Sequence, residues 1–167
     1  MTLRQWIYRN QPSSFIRVPL PLGGRLFLSP MPYGPYDPGH SLMKLYHRNK
    51  IDMAVVLVTN EEIALKCKKN LWAEYRRNRI ATLHYPVKDL TAPLDLRESG
   101  IIEKISSELN ANHIAIHCNA GVGRTAVIAA CIVKNLLELK DDKAIDYIQN
   151  ITRIDITSEQ RWFVKEW

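Results

Sequence analysis

The stretch that most constrains the fold runs from His113 to Leu139. Residues 113–117, His-Ile-Ala-Ile-His, form a short apolar run of strand length. The chain then passes through Cys118-Asn119-Ala120-Gly121-Val122-Gly123 into Arg124–Leu139. In that last segment Ala126, Val127, Ile128, Ala129, Ala130, Ile132, Val133, Leu136 and Leu137 are apolar nearly all round. A helix of that kind must be buried. A buried strand joined through a glycine loop to a buried helix is half of an α/β unit. The carboxyl end of a strand opening into a helix N-terminus is also where such folds receive anions.

The rest of the chain alternates in the same way. Phe15–Val18 and Arg25–Leu28 read as short strands about a Gly23-Gly24 turn. A Pro/Gly-dense segment, residues 30–39, separates them from a short helix over Ser41–Asn49. Ile51–Val58 has the β-branched apolar run of a strand buried on both faces. Glu61–Arg77 reads as helix broken near Asn70, and Ile80–Val87 as another strand. Ile101, Ile102, Ile105 and Leu109 have helical spacing, with Asp95 and Glu98 as a capping box at the start. Shorter helices over 142–150 and 158–166 finish the chain. The expectation is an α/β fold: one domain over residues 1–167 with a central, mainly parallel sheet flanked by helices.

The loop at 117–125 carries the chemistry. Successive backbone N–H groups can converge on one oxyanion, and Gly121 and Gly123 supply the dihedral freedom. Arg124 adds a planar fork suited to two phosphate oxygens. Asn119, Ala120, Gly121, Val122, Gly123 and Arg124 are therefore the expected phosphate-binding set. The helix N-terminus and Arg124 favour the thiolate of Cys118, making it a nucleophile. Thr125 is placed to donate its hydroxyl to the sulfur. His117 is expected behind the loop, bonding backbone and fixing Cys118. The loop lacks the Gly-Lys-Ser/Thr ending of a nucleotide-binding Walker sequence.

Composition narrows the class. With 46% hydrophobic and 24% charged residues the chain reads as a soluble globular protein. It has no apolar run of the ~18 residues that span a bilayer. Met1–Asn10 shows no secretory leader pattern. The three cysteines, Cys67, Cys118 and Cys131, have neither metal nor disulfide-scaffold spacing, which fits a reducing, cytoplasmic setting. Cys131 lies on the apolar helix as a core residue, and a redox partnership of Cys67 with Cys118 has no support in the sequence. The net charge is +6, and Lys66, Lys68, Lys69, Arg76, Arg77 and Arg79 face only Glu74 within their own run. That run is either a solvated helix face or an attractor of anions. Trp72 and Tyr75 are too few for a stacking platform on nucleic acid.

The nine residues His117-Cys-Asn-Ala-Gly-Val-Gly-Arg-Thr125 match the His-Cys-x-x-Gly-x-x-Arg-Ser/Thr signature, and the chain resembles the protein tyrosine phosphatase superfamily. Its length resembles the compact archaeal tyrosine phosphatases and atypical dual-specificity phosphatases. The resemblance extends from about Leu26 to Trp162. It implies a phosphomonoester hydrolase with a phosphocysteine intermediate, no metal and no cofactor. A phosphorylated protein or peptide is the implied partner. Asp89, 29 residues before Cys118 (118 − 89), is the favoured acid, because Asp95 already has a capping role. The Trp-Pro-Asp triplet of the large tyrosine phosphatases is absent. Thr157-Ser-Glu-Gln160 resembles the family's water-positioning glutamine loop, although it is equally a capping box. Tyr33 and Tyr36 are candidates for a substrate rim. Three alternatives stay open: a phosphoinositide or inositol-polyphosphate phosphatase, a non-catalytic phosphate-binding module, and a nucleic-acid 5′-phosphatase resting only on the basic run.

Overall fold

The computed structural model describes residues 15–140, 142–153 and 156–167; Met1–Asn10, read above for a leader, lies outside them. β1 (Ile16–Val18) and β2 (Arg25–Ser29) form an antiparallel pair. β3 (Met53–Val56), β4 (Ala81–His84) and β5 (His113–His117) complete a sheet of order β1-β2-β5-β3-β4. All pairings except β1–β2 are parallel. The register sets His117 opposite Ser29 on one side and Val56 on the other. β5 is thus the central strand, and its last residue lies where the sheet is best covered.

The connections explain why both faces carry helices. From β2 the chain runs through α1 (Leu42–Arg48) to β3, then through α2 (Asn60–Lys66) and α3 (Leu71–Arg77) to the edge strand β4. It then reverses direction along the sheet, through α4 (Leu96–Ser99) and α5 (Ile101–Glu108), to insert β5. Parallel crossovers are right-handed, so a reversal of direction puts the connecting helices on the opposite face. Two cores follow. Met43 and Tyr46 of α1 pack with Leu71 and Tyr75 of α3 on one face. Ile102 and Ile105 of α5 pack on the other with α6 (Gly123–Leu137), α7 (Lys143–Thr152) and α8 (Ser158–Glu166). Ten consecutive residues of α6, Arg124–Val133, are buried, as its all-round apolar sequence requires. Each large apolar side chain so buried contributes about 1.5–3 kcal/mol.

The helix expected over Glu61–Arg77 divides into α2 and α3, with the Asn70 side chain accepting from the Ala73 N–H. The capping box expected at Asp95–Glu98 does not form. Asp95 stands at the N-cap without a side-chain cap bond, because its carboxylate takes the Tyr85 hydroxyl at 2.6 Å. The helix it opens lasts one turn and stops at Gly100, whose φ of 63° begins α5. Among the described residues, no helix is long and apolar enough to cross a membrane.

Candidate active site

The loop leaves the central strand at the carboxyl edge of the sheet and turns at once into α6. Gly121 has φ 73°, and a Cβ there would lie 2.5 Å from the Ser29 carbonyl carbon and 2.6 Å from the Pro30 nitrogen. Only glycine satisfies both the dihedral and that approach. The Met31 N–H donates to the Asn119 carbonyl at 3.1 Å, tying the loop to the end of β2. The first capped turn of α6 closes with the Ala126 N–H on the Val122 carbonyl, so the preceding N–H groups have no intrahelical acceptor. Cys118, 3% exposed, lines a cleft of about 280 Å³ beside Asn119, Ala120, Val122, Gly123 and Arg124.

Arg124 is held in one pose. Its side chain is 1% exposed. Nη1 donates to Glu62 Oε2 at 2.7 Å and to the Val87 carbonyl at 2.8 Å, and Nη2 donates to Glu62 Oε1 at 2.9 Å. A guanidinium has five N–H donors. The Nε–H has no partner among the described residues, and the remaining Nη2 hydrogen lies on the side of Asp89 Oδ1, 3.2 Å away. One edge of the guanidinium therefore keeps two adjacent donors for an oxyanion. Burial alone would lower the Arg124 pKa. Hydrogen bonds to Glu62, then the charges of Cys118 and Asp89, outweigh it and raise the pKa above the ordinary value. Burial likewise opposes ionisation of Glu62, but Arg124 and the Thr59 N–H hold its carboxyl below the usual range.

His117 works from behind the loop. Its Nδ1 lies 3.1 Å from the Cys118 carbonyl, which can only accept, so Nδ1 carries the proton. Nε2 is then free to accept from the Tyr75 hydroxyl at 2.7 Å. Complete burial pushes the imidazole pKa down to about 4, with Arg124 and His84 adding to the effect against the Cys118 carbonyl. Burial also keeps Tyr75 protonated well above the ordinary phenol range. A neutral histidine bridges a buried phenol and the backbone of Cys118.

Most of the expected residues converge here. Asp89, Leu90, Tyr36, Thr157 and the buried Gln160 also line the cleft. Gln160 is both a cap and a cleft residue. Its Oε1 accepts from the Thr157 N–H at 3.1 Å, and its Nε2 lies 3.0 Å from where a Gly123 Cβ would sit. Gly123 has no positive φ, which corrects the sequence expectation, and a side chain there would press on the Gln160 amide; the face of Gly121 where a Cβ would sit is turned to Ser29 and Pro30. The Thr125 hydroxyl, expected on the sulfur, has no hydrogen-bond partner among the described residues. Tyr33 turns away from the cleft, its hydroxyl donating to Glu74 at 2.9 Å. The Cys67 thiol, half-buried, donates to the Pro32 carbonyl. Glu62 and Tyr75 escaped sequence reading. The local sign for Glu62 was Thr59-x-x-Glu62, a capping box that the structure forms.

A buried cysteine at a strand–helix turn, under a loop of amides and a braced arginine, defines the class of cysteine-dependent phosphatase folds. The family model described as polymorphic toxin system, DSP-PTPase phosphatase matches residues 41–136, more than half of the chain. The chain belongs to this family, within the protein tyrosine phosphatase superfamily. It is similar to human cyclin-dependent kinase inhibitor 3, with 30% identity over 98 residues, 58% of this chain and 46% of that protein. The chain thus matches about half the length of that curated relative. Among solved structures, kinase associated phosphatase with serine replacing its catalytic site cysteine superposes with a TM-score of 0.81 at 22% identity, covering 94% of each chain. Tk-PTP in the active form gives 0.70 at 23% identity, over 86% of this chain and 90% of that one.

Proposed function

We propose that this chain is a phosphomonoester hydrolase of the protein tyrosine or dual-specificity type, working through a phosphocysteine on Cys118. The observation that carries the reading is the Arg124 edge, with an unpartnered Nε–H and an outer Nη2–H beside Cys118 in the same cleft. Two equatorial oxygens of a phosphoryl group take those two donors, and the loop amides of residues 119–125 take the rest. The Cys118 sulfur then attacks phosphorus. The S–P bond forms, the bond to the leaving oxygen breaks, and that oxygen takes the proton of the Asp89 carboxyl. Asp89 gives up its contact with Nη2 to reach it. In the second step Asp89 accepts a proton from water held by Gln160, the water oxygen bonds to phosphorus, and the thiolate leaves. Thr125 rotates its hydroxyl toward the departing sulfur. His117 keeps the Cys118 backbone in register throughout.

Family membership and the net charge of +6 support a phosphorylated protein or peptide as substrate. The three cysteines, all free, suit a reducing compartment such as the cytoplasm. The test is hydrolysis of p-nitrophenyl phosphate by the wild type, Cys118→Ser and Asp89→Asn, with vanadate and chelator controls. Cys118→Ser abolishes turnover, vanadate inhibits and chelation has no effect. On a phosphothreonine peptide, whose alkoxide leaving group needs the acid, Asp89→Asn lowers kcat about 10²–10⁴-fold. Turnover that survives Cys118→Ser overturns the reading. Relative kcat/KM on phosphotyrosine peptide, phosphothreonine peptide, a phosphoinositide and inositol hexakisphosphate decides the substrate class.

A further inference from the structure

A second depression, of about 900 Å³, lies on the other side of the residue 30–39 loop. One wall is α1, through Lys44, His47 and Arg48, and the other presents Lys69 and Arg77. The single carboxylate on its lining, Glu74, is already engaged. Its Oε1 takes Arg77 at 2.5 Å and its Oε2 takes the Tyr33 hydroxyl. Lys44, Arg48 and Lys69 are exposed, and none of them pairs with a carboxylate among the described residues. His40 lines the same groove with an Nε2 that has no hydrogen-bond partner among the described residues. Among the described residues, then, three cations without a carboxylate partner and an imidazole nitrogen without a hydrogen bond face one space.

We propose that this groove binds an acidic segment of the same polypeptide whose phosphate occupies the cleft, which rests on the phosphatase reading above. The two depressions share a wall. Tyr36 lines the cleft and Tyr33 lines the groove. Being three residues apart, their Cα atoms are at most about 11 Å from each other. The wall is stiff, because the fully buried Asp37 carboxylate accepts from the N–H groups of Tyr33, Ser41 and Leu42 at 3.0, 2.9 and 3.3 Å. At roughly 3.3 Å per extended residue, acids some three to six positions from the phosphorylated residue reach the groove. Its size suits several residues better than one phosphate. Nucleic acid fits it poorly. Tyr33 is buried and already has Lys69 Nζ 4.5 Å above its ring, leaving no face for a base.

The test uses the full chain with Lys44→Glu/Arg48→Glu, and Lys69→Glu as an independent variant on the opposite wall. The substrates are p-nitrophenyl phosphate, a phosphotyrosine peptide with an acidic flank, and the same peptide with its acids replaced by their amides. Exposed ion pairs each change affinity only a few-fold, so the double reversal should raise KM for the acidic peptide about tenfold at low salt. The effect should shrink as salt is added. Kinetics on p-nitrophenyl phosphate and on the amide peptide stay at wild-type values. An unchanged KM for the acidic peptide overturns the proposal. So does an equal loss on both peptides, or a loss confined to a 5′-phosphorylated oligonucleotide. If the wild type hydrolyses nothing, the phosphatase reading fails on its own. The groove is then judged by anisotropy of a labelled acidic peptide without phosphate, whose binding the reversal must weaken.

Discussion

Two helices of this molecule open with the same four-residue device, and both aim its last side chain at the loop around Cys118. At the start of α2, Glu62 caps the Thr59 N–H and clamps Arg124. At the start of α8, Gln160 caps the Thr157 N–H and rests against Gly123. The difference is charge. Glu62 neutralises a buried cation and sets which of its N–H groups remain outward. Gln160 neutralises nothing and keeps an amide nitrogen on the cleft side. In the proposed mechanism the first box orients the anion-binding arginine, and the second brings a water-holding amide to the same loop.

The largest break in this comparison comes from Glu62→Ala. It leaves Arg124 buried without its main counter-charge, at a cost of about 3 kcal/mol in urea unfolding. The freed guanidinium misplaces its donors, so kcat/KM on p-nitrophenyl phosphate falls about 10²-fold. Glu62→Gln, which can still close the box but brings no charge, should recover only the cap, about 1 kcal/mol, and little of the activity. A fully active Glu62→Ala enzyme would dissolve the distinction.

His117 sharpens the contrast, since it supports the loop through a bond that titrates. The unfolded imidazole binds its proton near pH 6.5, whereas the folded one does so only at about 4. Between those values the unfolded state holds more protons, so stability falls as pH is lowered through that window, by up to about 3 kcal/mol. Urea midpoints at pH 7 and pH 5 measure the slope, and His117→Gln should flatten it. Gln160→Ala is the smallest change. It loses a cap worth about 1 kcal/mol and slows kcat on p-nitrophenyl phosphate roughly tenfold while leaving KM near its wild-type value. A raised KM would assign Gln160 to phosphate binding instead.

What could be read from sequence follows the distances along the chain. Cys118, its loop and the first turn of α6 are contiguous, so local spacing was sufficient to put them at one strand–helix junction. The alternation of β-branched runs and helical periods was likewise enough for a mainly parallel sheet. Glu62 lies 62 residues from Arg124, and Tyr75 lies 42 from His117. Pairings that long are made by tertiary packing, and nothing local announces them. The Asp95–Glu98 box was legible and wrong, because Tyr85, across the connection, offered its carboxylate a better donor. Tyr33 and Tyr36 look equivalent in sequence. The backbone at Tyr33 takes φ 60° and, with Asp37 and Glu74 as anchors, turns it to the far side of its loop.

The central claim is that phosphate passes through the sulfur of Cys118. The direct measurement is acid-quench peptide mass spectrometry of Asp89→Asn mixed with p-nitrophenyl phosphate. Nitrophenolate leaves without an acid, while the second step lacks its base, so the intermediate accumulates. The prediction is a phosphoryl group on the peptide containing Cys118, absent from the Cys118→Ser/Asp89→Asn double variant. Turnover with no adduct on that peptide, or with phosphate on another residue, would contradict it.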